Sequence, residues 1–380
     1  MIYPYNKYLY KGMIKLYNNL PIRDRLPLML RELYEKYAYK NYRMNKFENY
    51  DVYRENKSFL KNDEMITFTN PDGKLMALKP DVTMAIAKNS TDTDGILKLY
   101  YNENVYRLQP GNNEYSEINQ MGLEFIGGED YYSQAEVTLL ALRSLELIDK
   151  NYRLNIAHMG YLNSILDFVC SENSARNECL ELIKQKNQHG IEEFAQKNKL
   201  NERKTQALKR IVLLSGDLDK VLPKLEGSSY TNEMASAVRE LRELNDSLKD
   251  FGTENIKLDF SVIDDPDYYN GIVFQGFVPL TPRAVLTGGR YDNLMRRFGK
   301  QRNAIGFAVY LGELDRALHT FDEYDTDLLL IYGDASAKQV LSAIEQLKSD
   351  YAGIRAEKEM PDSIRAKKII YIDDTKKVNR

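Results

Sequence analysis

Tyr268 and Tyr269 stand side by side within residues 257–277, KLDFSVIDDPDYYNGIVFQGF. Paired phenols at a strand end offer apolar faces and hydroxyl tips, a combination that suits a flat polar ligand such as an imidazole. In a chain with 28 tyrosines, two rings that merely pack together are the better reading of these residues alone. Asp81 and Thr83 fall where a strand gives way to a helix, in LKPDVTMAIAK. A carboxylate and a hydroxyl are the natural partners of an ammonium, and the same two groups also suit N-capping. Gln120 and Glu124 lie an even number of residues apart, so on a regular strand they share one face.

The surrounding pattern supplies the elements that must hold these groups. Leu26, Met29, Leu30, Leu33, Tyr34 and Tyr37 recur at helical spacing across residues 22–40. Residues 42–53 read as extended, and 59–78 alternate around Asn70-Pro71-Asp72-Gly73, a strong hairpin signal. Residues 97–127 read as strand, loop and strand, with the loop at Pro110-Gly111-Asn112-Asn113. A helix follows over 131–147 and a strand over 154–160, and then residues 161–250 read as helical throughout. The stretch 257–277 reads as two strands joined through an acidic turn. Residues 284–318 hold Gly288-Gly289-Arg290-Tyr291-Asp292 and then a strand running into a helix. The tail from residue 326 reads strand, helix, strand, strand, a small α/β unit. The first 20 residues, rich in tyrosine and without periodicity, are expected to form an arm lying on the body.

Bulk properties narrow the function classes. A chain of 380 residues is expected to form two or three units. Its net charge of −3 provides no global field for a polyanion. Acidic and basic residues balance in the tail, so the electrostatic drive to bind tRNA is missing there. The three histidines are scattered and the two cysteines lack metal spacing, which argues against a metal site. No cofactor motif is present. No apolar run reaches the roughly 18 residues of a membrane span, and the N-terminus does not resemble a signal peptide, so a cytoplasmic protein is expected.

Several stretches resemble the histidyl-tRNA synthetases. Asp267-Tyr268-Tyr269 resembles the end of their signature Arg-Gly-Leu-Asp-Tyr-Tyr, with Asp264 where the arginine stands. Lys79-Pro80-Asp81-Val82-Thr83 resembles their Arg-Pro-Glu-Gly-Thr element, whose acid and threonine hold the amino group of histidine. Residues 97–127 resemble class II motif 2, with Arg107 at the place of the arginine that grips ATP and Gln109 replacing an acidic residue. On the returning strand the resemblance implies that Gln120 faces the polar backbone groups of the amino acid and Glu124 its imidazole. Ser116 stands where a basic residue reaches ATP. Arg290-Tyr291-Asp292 resembles the Gly-Gly-Arg-Tyr-Asp element at the amino-acid pocket, and residues 303–318 resemble motif 3, with Glu313 at the place of its arginine when counted without a gap. Counting with a one-turn insertion would place Arg316 there instead. The implied fold is α+β: a class II synthetase-like antiparallel sheet flanked by helices, over residues 1–160 and 251–322. A helical insertion at 161–250 and a small C-terminal α/β domain at 323–380 complete it. The helix at 22–40 and the strand after it resemble the class II dimer interface, although Asn45 stands where a proline is usual.

The departures matter chemically. Forming an aminoacyl adenylate brings a carboxylate onto an α-phosphate, and the enzyme must supply positive charge there. One unit-charge contact at about 4 Å and an effective dielectric near 20 is worth roughly 4 kcal/mol. Reversing its sign at Asp264 and Glu313 would abolish adenylation, since about 1.4 kcal/mol is tenfold in rate. The implied histidine site (Asp81, Thr83, Gln120, Glu124, Tyr268, Tyr269 and Tyr291) is retained, with Arg107 as a residual phosphate contact and no catalytic residue. That combination resembles the ATP phosphoribosyltransferase regulatory subunits. The resemblance implies a partner, the short-form catalytic subunit, and histidine as the feedback ligand. It further implies a homodimer within a hetero-oligomer, and neither tRNA nor membrane binding. Two other readings stay open: an active class II synthetase-like ligase, and a histidine-sensing module acting on another partner.

Overall fold

The computed structural model describes residues 22–54, 65–93, 95–108, 114–128, 131–170, 172–263, 268–318 and 324–372, apart from the side chains of residues 52 and 315–318. The expected arm over 1–20, the loop from Gln109 to Asn113, the acidic turn with Asp264, and the side chain of Arg316 lie outside the described residues. In chain order the strands are β1 (Lys40–Asn41), β2 (Phe47–Asn49), β3 (Thr67–Thr69), β4 (Leu75–Leu78), β5 (Leu97–Leu108), β6 (Tyr115–Ile126), β7 (Arg153–His158) and β8 (Ser215–Asp217). They continue as β9 (Ile256–Asp259), β10 (Ile272–Phe277), β11 (Leu286–Arg290), β12 (Ala304–Tyr310), β13 (Thr326–Ile331), β14 (Ile354–Glu357) and β15 (Ala366–Tyr371).

The expected strand-loop-strand over 97–127 is the spine of a nine-stranded sheet, ordered β1-β5-β6-β12-β11-β10-β7-β9-β8. β5 and β6 pair from Leu97 opposite Ile126 to Leu108 opposite Tyr115, antiparallel along their whole length. The centre of the sheet is antiparallel, and β1–β5 and β7–β9 are parallel pairs. Helix Tyr131–Ile148 covers one face, burying Val137, Leu140, Ala141 and Leu145 at helical spacing. Helix Ile22–Lys36 buries Leu26, Leu30 and Tyr34, and the Tyr34 ring meets Tyr100 and Phe307. It ends before residue 40, because Ala38 turns left-handed (φ 63°) and Tyr39 N–H donates to Tyr34 O in a C-terminal cap. Beside the main sheet, β2-β4-β3 forms a small sheet whose β3–β4 hairpin turns at the expected Asn70–Gly73, where Gly73 has φ 78°.

The two strands expected over 257–277 are β9 and β10, and the expectation for 161–250 changes. β9 and β10 are not sheet neighbours, since β7 lies between them, parallel to β9 and antiparallel to β10. The chain from residue 260 to 271 is long enough for such a crossing, whereas a hairpin uses a loop of about two to five residues. The segment 161–250 is not helical throughout: β8 interrupts its helices and joins the sheet edge by pairing with β9. The helices around it are well capped, with the Asn187, Asn201 and Thr231 side chains each accepting from a first-turn N–H. Of the described residues, those from 26 to 314 form one compact unit, and 22–25 with 315–318 and 324–372 fall in another. In the latter, β14-β13-β15 is a parallel sheet on which helix Ala337–Leu347 packs Val340, Ala343 and Leu347 against Leu328, Leu330 and Ile370, as the tail pattern indicates. Among the described residues no helix is long and apolar enough to cross a membrane.

Candidate functional site

One face of the central sheet, closed by the start of helix Val82–Asn89 and by Tyr268 and Tyr269, encloses a cavity of about 90 Å³. One buried water needs about 10–15 Å³ on this measure, so the space is that of a small amino acid. Asp81, Thr83, Gln120 and Glu124 line it, together with Tyr268, Tyr269, Tyr291 and Arg107. The structure therefore brings together every side chain singled out above for histidine and phosphate contact. The even spacing of Gln120 and Glu124 on β6 does place both toward the cavity.

Glu124 is the electrostatic centre. Its side chain is buried, and among the described residues two hydroxyls meet it: Thr83 Oγ1 donates to Oε1 at 2.7 Å and Tyr291 OH to Oε2 at 2.6 Å. Among the described residues no cation pairs with it. Burial raises its pKa to about 8, the hydrogen bonds from Tyr291 and Thr83 pull it back, and the Asp81 carboxylate adds to the rise. Burial first, and the nearby carboxylates second, push the phenols of Tyr101, Tyr268 and Tyr291 well above their usual range, so these stay neutral donors. The arrangement offers a ligand a buried carboxyl group flanked by neutral hydroxyls.

The nucleotide side is different. Arg107 is the one cation lining the cavity among the described residues, and it turns back on its own wall. Its Nε donates to Pro80 O at 2.6 Å and its Nη2 to Asp81 Oδ2 at 2.9 Å. Asp81 also caps helix Val82–Asn89, accepting from Met84 N–H at 2.8 Å, so the capping and site readings of this residue both hold. Ser116 lies directly opposite Arg107 in the β5–β6 ladder and adds no charge. Glu313 does not line the cavity; it stands 3.8 Å from Arg283. Asp264 lies outside the described residues. Among the described residues no group of three or more His, Cys, Asp and Glu side chains is arranged to hold a metal ion.

Several residues that build the site escaped the sequence reading. Tyr101 lines the cavity and its phenol hydrogen-bonds Thr83. It lies an even distance from Arg107 along β5, the signal by which it could have been found. Gly306 of β12 faces Glu124 across the strand pair, and a Cβ there would land on Glu124 Oε2. Nothing in the local sequence marks that need. Asp292, singled out above in the element with Arg290 and Tyr291, acts as a brace. Its carboxylate accepts from Ala304 N–H (2.9 Å), Asn270 Nδ2 (3.0 Å) and Arg290 Nε (2.7 Å), while its own N–H donates to Asn270 Oδ1 at 2.7 Å. The residues adjoining Tyr269 and Tyr291 in the chain are thereby locked to β12.

The histidyl-tRNA synthetase family profile matches residues 22–314. The ATP phosphoribosyltransferase regulatory subunit of Caldanaerobacter subterraneus is 34% identical, over 76% of this chain and 76% of its own. That of Clostridium acetobutylicum is 27% identical over 94% and 91%. Among solved structures, the ATP phosphoribosyltransferase regulatory subunit/histidyl-tRNA synthetase from Bacillus halodurans superposes with a TM-score of 0.75 at 22% identity, covering 93% of this chain and 95% of that one. A chain of the ATP phosphoribosyl transferase (HisG:HisZ) complex from Thermotoga maritima gives 0.59 at 17% identity, over 76% and 97%. These structures share the α+β fold: an antiparallel-centred sheet flanked by helices.

The raised pKa of Glu124 has a stability signature. Between the ordinary carboxylate pKa and about 8 the folded chain holds a proton that the unfolded chain releases. Stability from this group is therefore full at low pH and lost as pH rises through that window, by at most about 1.4 kcal/mol per pH unit. Glu124→Gln removes the titration, so its denaturation midpoint should gain on the wild type steadily from pH 5 to pH 8. A constant difference between the two across that range would contradict the neutral, buried carboxyl.

Proposed function

The chain belongs to the family of ATP phosphoribosyltransferase regulatory subunits, built on the histidyl-tRNA synthetase fold, and from that premise we propose that it partners a short-form catalytic subunit and carries the histidine that shuts the complex down. The observation that carries this reading is Glu124, a buried carboxyl group that, among the described residues, is answered by hydroxyls in a cavity the size of an amino acid. An imidazole N–H satisfies it, with the phenols of Tyr268 and Tyr291 alongside the ring. Asp81 and Thr83 receive the ammonium, and Gln120 the remaining polar groups of the amino acid. Independent catalysis is not expected, since Arg107 is engaged by Asp81 and the adenylate would lack its positive charge. The chain pairs with itself inside the hetero-oligomer, as its resemblance to class II enzymes implies, and works in the cytoplasm on histidine biosynthesis.

Histidine regulates only if it binds two states of the assembly unequally. Tyr268 and Tyr269 join the cavity to the brace at Asn270 and Asp292, so ligand contact with the rings changes the load on that brace. A filled pocket then favours the arrangement in which the catalytic subunit is slow.

Calorimetry on the purified chain should detect histidine binding, with a bell-shaped pH dependence. The bound pair, Glu124 and imidazole, holds one proton. Above a pH of about 8 neither free partner carries it, so binding takes a proton up and affinity falls by up to tenfold per unit. Below about 6.5 both carry one, so binding releases a proton and affinity falls again. No binding at millimolar histidine, or an affinity flat from pH 6 to 9, would remove the pocket assignment. In the reconstituted complex, Glu124→Ala should continue phosphoribosyl transfer at histidine concentrations that stop the wild type; unchanged inhibition counts against it. Histidine-dependent pyrophosphate exchange by the chain alone would instead favour an active ligase.

A further inference from the structure

A second cavity, of about 420 Å³, opens beside the end of β11 and shares no lining residue with the one that holds Glu124. Its size falls in the range of small-molecule sites. Among the described residues its lining holds no aromatic or aliphatic side chain: apart from Gly271, every residue is charged or carries an amide.

The local sequence builds one wall of it. Helix Asp292–Arg297 ends at Gly299, which turns left-handed (φ 73°). Gly299 N–H donates to Arg296 O at 2.9 Å and Lys300 N–H to Met295 O at 2.9 Å, the bond pair of a glycine-terminated helix. The returning segment is pinned to its surroundings. Gln301 N–H donates to Asp92 Oδ1 at 3.0 Å, and Asn303 O accepts from Gly127 N–H at 2.8 Å. Arg302, between them, is buried and donates to Thr91 O at 2.9 Å. The main chain is thereby fixed, and the side chains of Arg296, Gln301 and Asn303 are left to the cavity. Among the described residues these three side chains make no hydrogen bond or ion pair.

Arg290 lines the same space. Its Nε donates to Asp292 Oδ2 at 2.7 Å, and its Nη1 stands 3.9 Å from Glu240 Oε2, beyond hydrogen-bond reach. Gly271 gives this side chain room, since a Cβ there would come within 2.8 Å of the Arg290 Cδ. Two guanidiniums and two amides thus bring N–H donors to one polar space that the described residues leave unsatisfied. Guanidinium forks match phosphate oxygens, and a phosphate monoester has three terminal oxygens to receive such donors. An aromatic base has no surface here to stack on. The Glu240 carboxylate in the same lining disfavours a ligand that is anionic throughout, and it accepts well from hydroxyls.

We propose that this cavity binds a sugar phosphate, with the phosphate on Arg290 and Arg296 and the sugar hydroxyls on Glu240, Gln301 and Asn303. The site is independent of the histidine reading, since Glu124 takes no part in it.

The test is calorimetry on the full chain at low ionic strength, with ribose 5-phosphate as the probe. Inorganic phosphate, ribose and adenosine monophosphate serve as comparisons. Ribose 5-phosphate should bind, and ribose should give no heat of binding. Inorganic phosphate should bind about tenfold more weakly, for want of the hydroxyl contacts. Arg296 is exposed, so Arg296→Gln should keep the wild-type melting temperature. It should weaken ribose 5-phosphate about tenfold, the loss of one hydrogen bond to a charged group. Glu124→Gln should bind ribose 5-phosphate as the wild type does, whatever becomes of histidine, so the two assignments fail separately. Four results overturn the proposal. They are no binding of ribose 5-phosphate at millimolar concentration, equal binding by Arg296→Gln, inorganic phosphate binding as tightly (an adventitious ion only), or adenosine monophosphate binding more tightly than the sugar phosphate.

Discussion

A carboxylate taken out of water needs either a cation or a proton, and among the described residues no cation pairs with Glu124. Two hydroxyls, Thr83 and Tyr291, point at its oxygens, and the absent side chain of Gly306 leaves it space. Each of these comes from a different element, so the sheet and helix Val82–Asn89 must be in register before the group is satisfied at all. Hydrogen bonds from hydroxyls temper the penalty of burial without cancelling it, which is why the group holds its proton to about pH 8. The site stores a demand for an N–H donor or a cation, and a ligand that meets it gains what the empty protein lacks.

The opposite end of the cavity is arranged on contrary terms. Arg107 is the side chain a nucleotide phosphate would seek, and it is committed to Asp81 and to the Pro80 carbonyl. That ion pair is partly exposed, so its own contribution to stability is modest. Its importance is in orientation: it fixes Asp81 at the mouth of the pocket and takes the guanidinium out of play. One end of the cavity is thus short of positive charge, and at the other the positive charge is already spoken for. Under the function proposed above, a small zwitterion carrying an imidazole is the ligand for such a field, in preference to a polyanion.

Rigidity reaches the pocket from outside it. Asp292, itself buried, gathers a backbone N–H from β12, an amide from Asn270 and the guanidinium of Arg290. Arg290 stands 3.9 Å from Glu240 of helix Asn232–Leu248, and Glu240 in turn meets the buried His158 at the end of β7. The helical segment between β7 and β9 is therefore tied by charge to Arg290 at the end of β11, the residue before Tyr291. Those polar contacts run from the helices to the residues beside the aromatic wall of the cavity.

Much of this was legible in the chain itself. Period-two alternation marked β5 and β6, the Asn-Pro-Asp-Gly turn marked the β3–β4 hairpin, and even spacing set Gln120 and Glu124 on one face. Those features are local: backbone geometry within a few residues dictates them, so residue order alone determines them. The sequence also determined which functional groups the site could draw on. Which of them meet was decided by the tertiary structure. The Tyr291 hydroxyl reaches Glu124 across 167 residues of chain, and Gly306 and Asp292 matter only because β12 lies between β6 and β11. The passage of β7 between β9 and β10 and the inward turn of Arg107 are of the same kind. Such contacts depend on which surfaces the packed sheet and helices press together, and no periodicity along the chain encodes them.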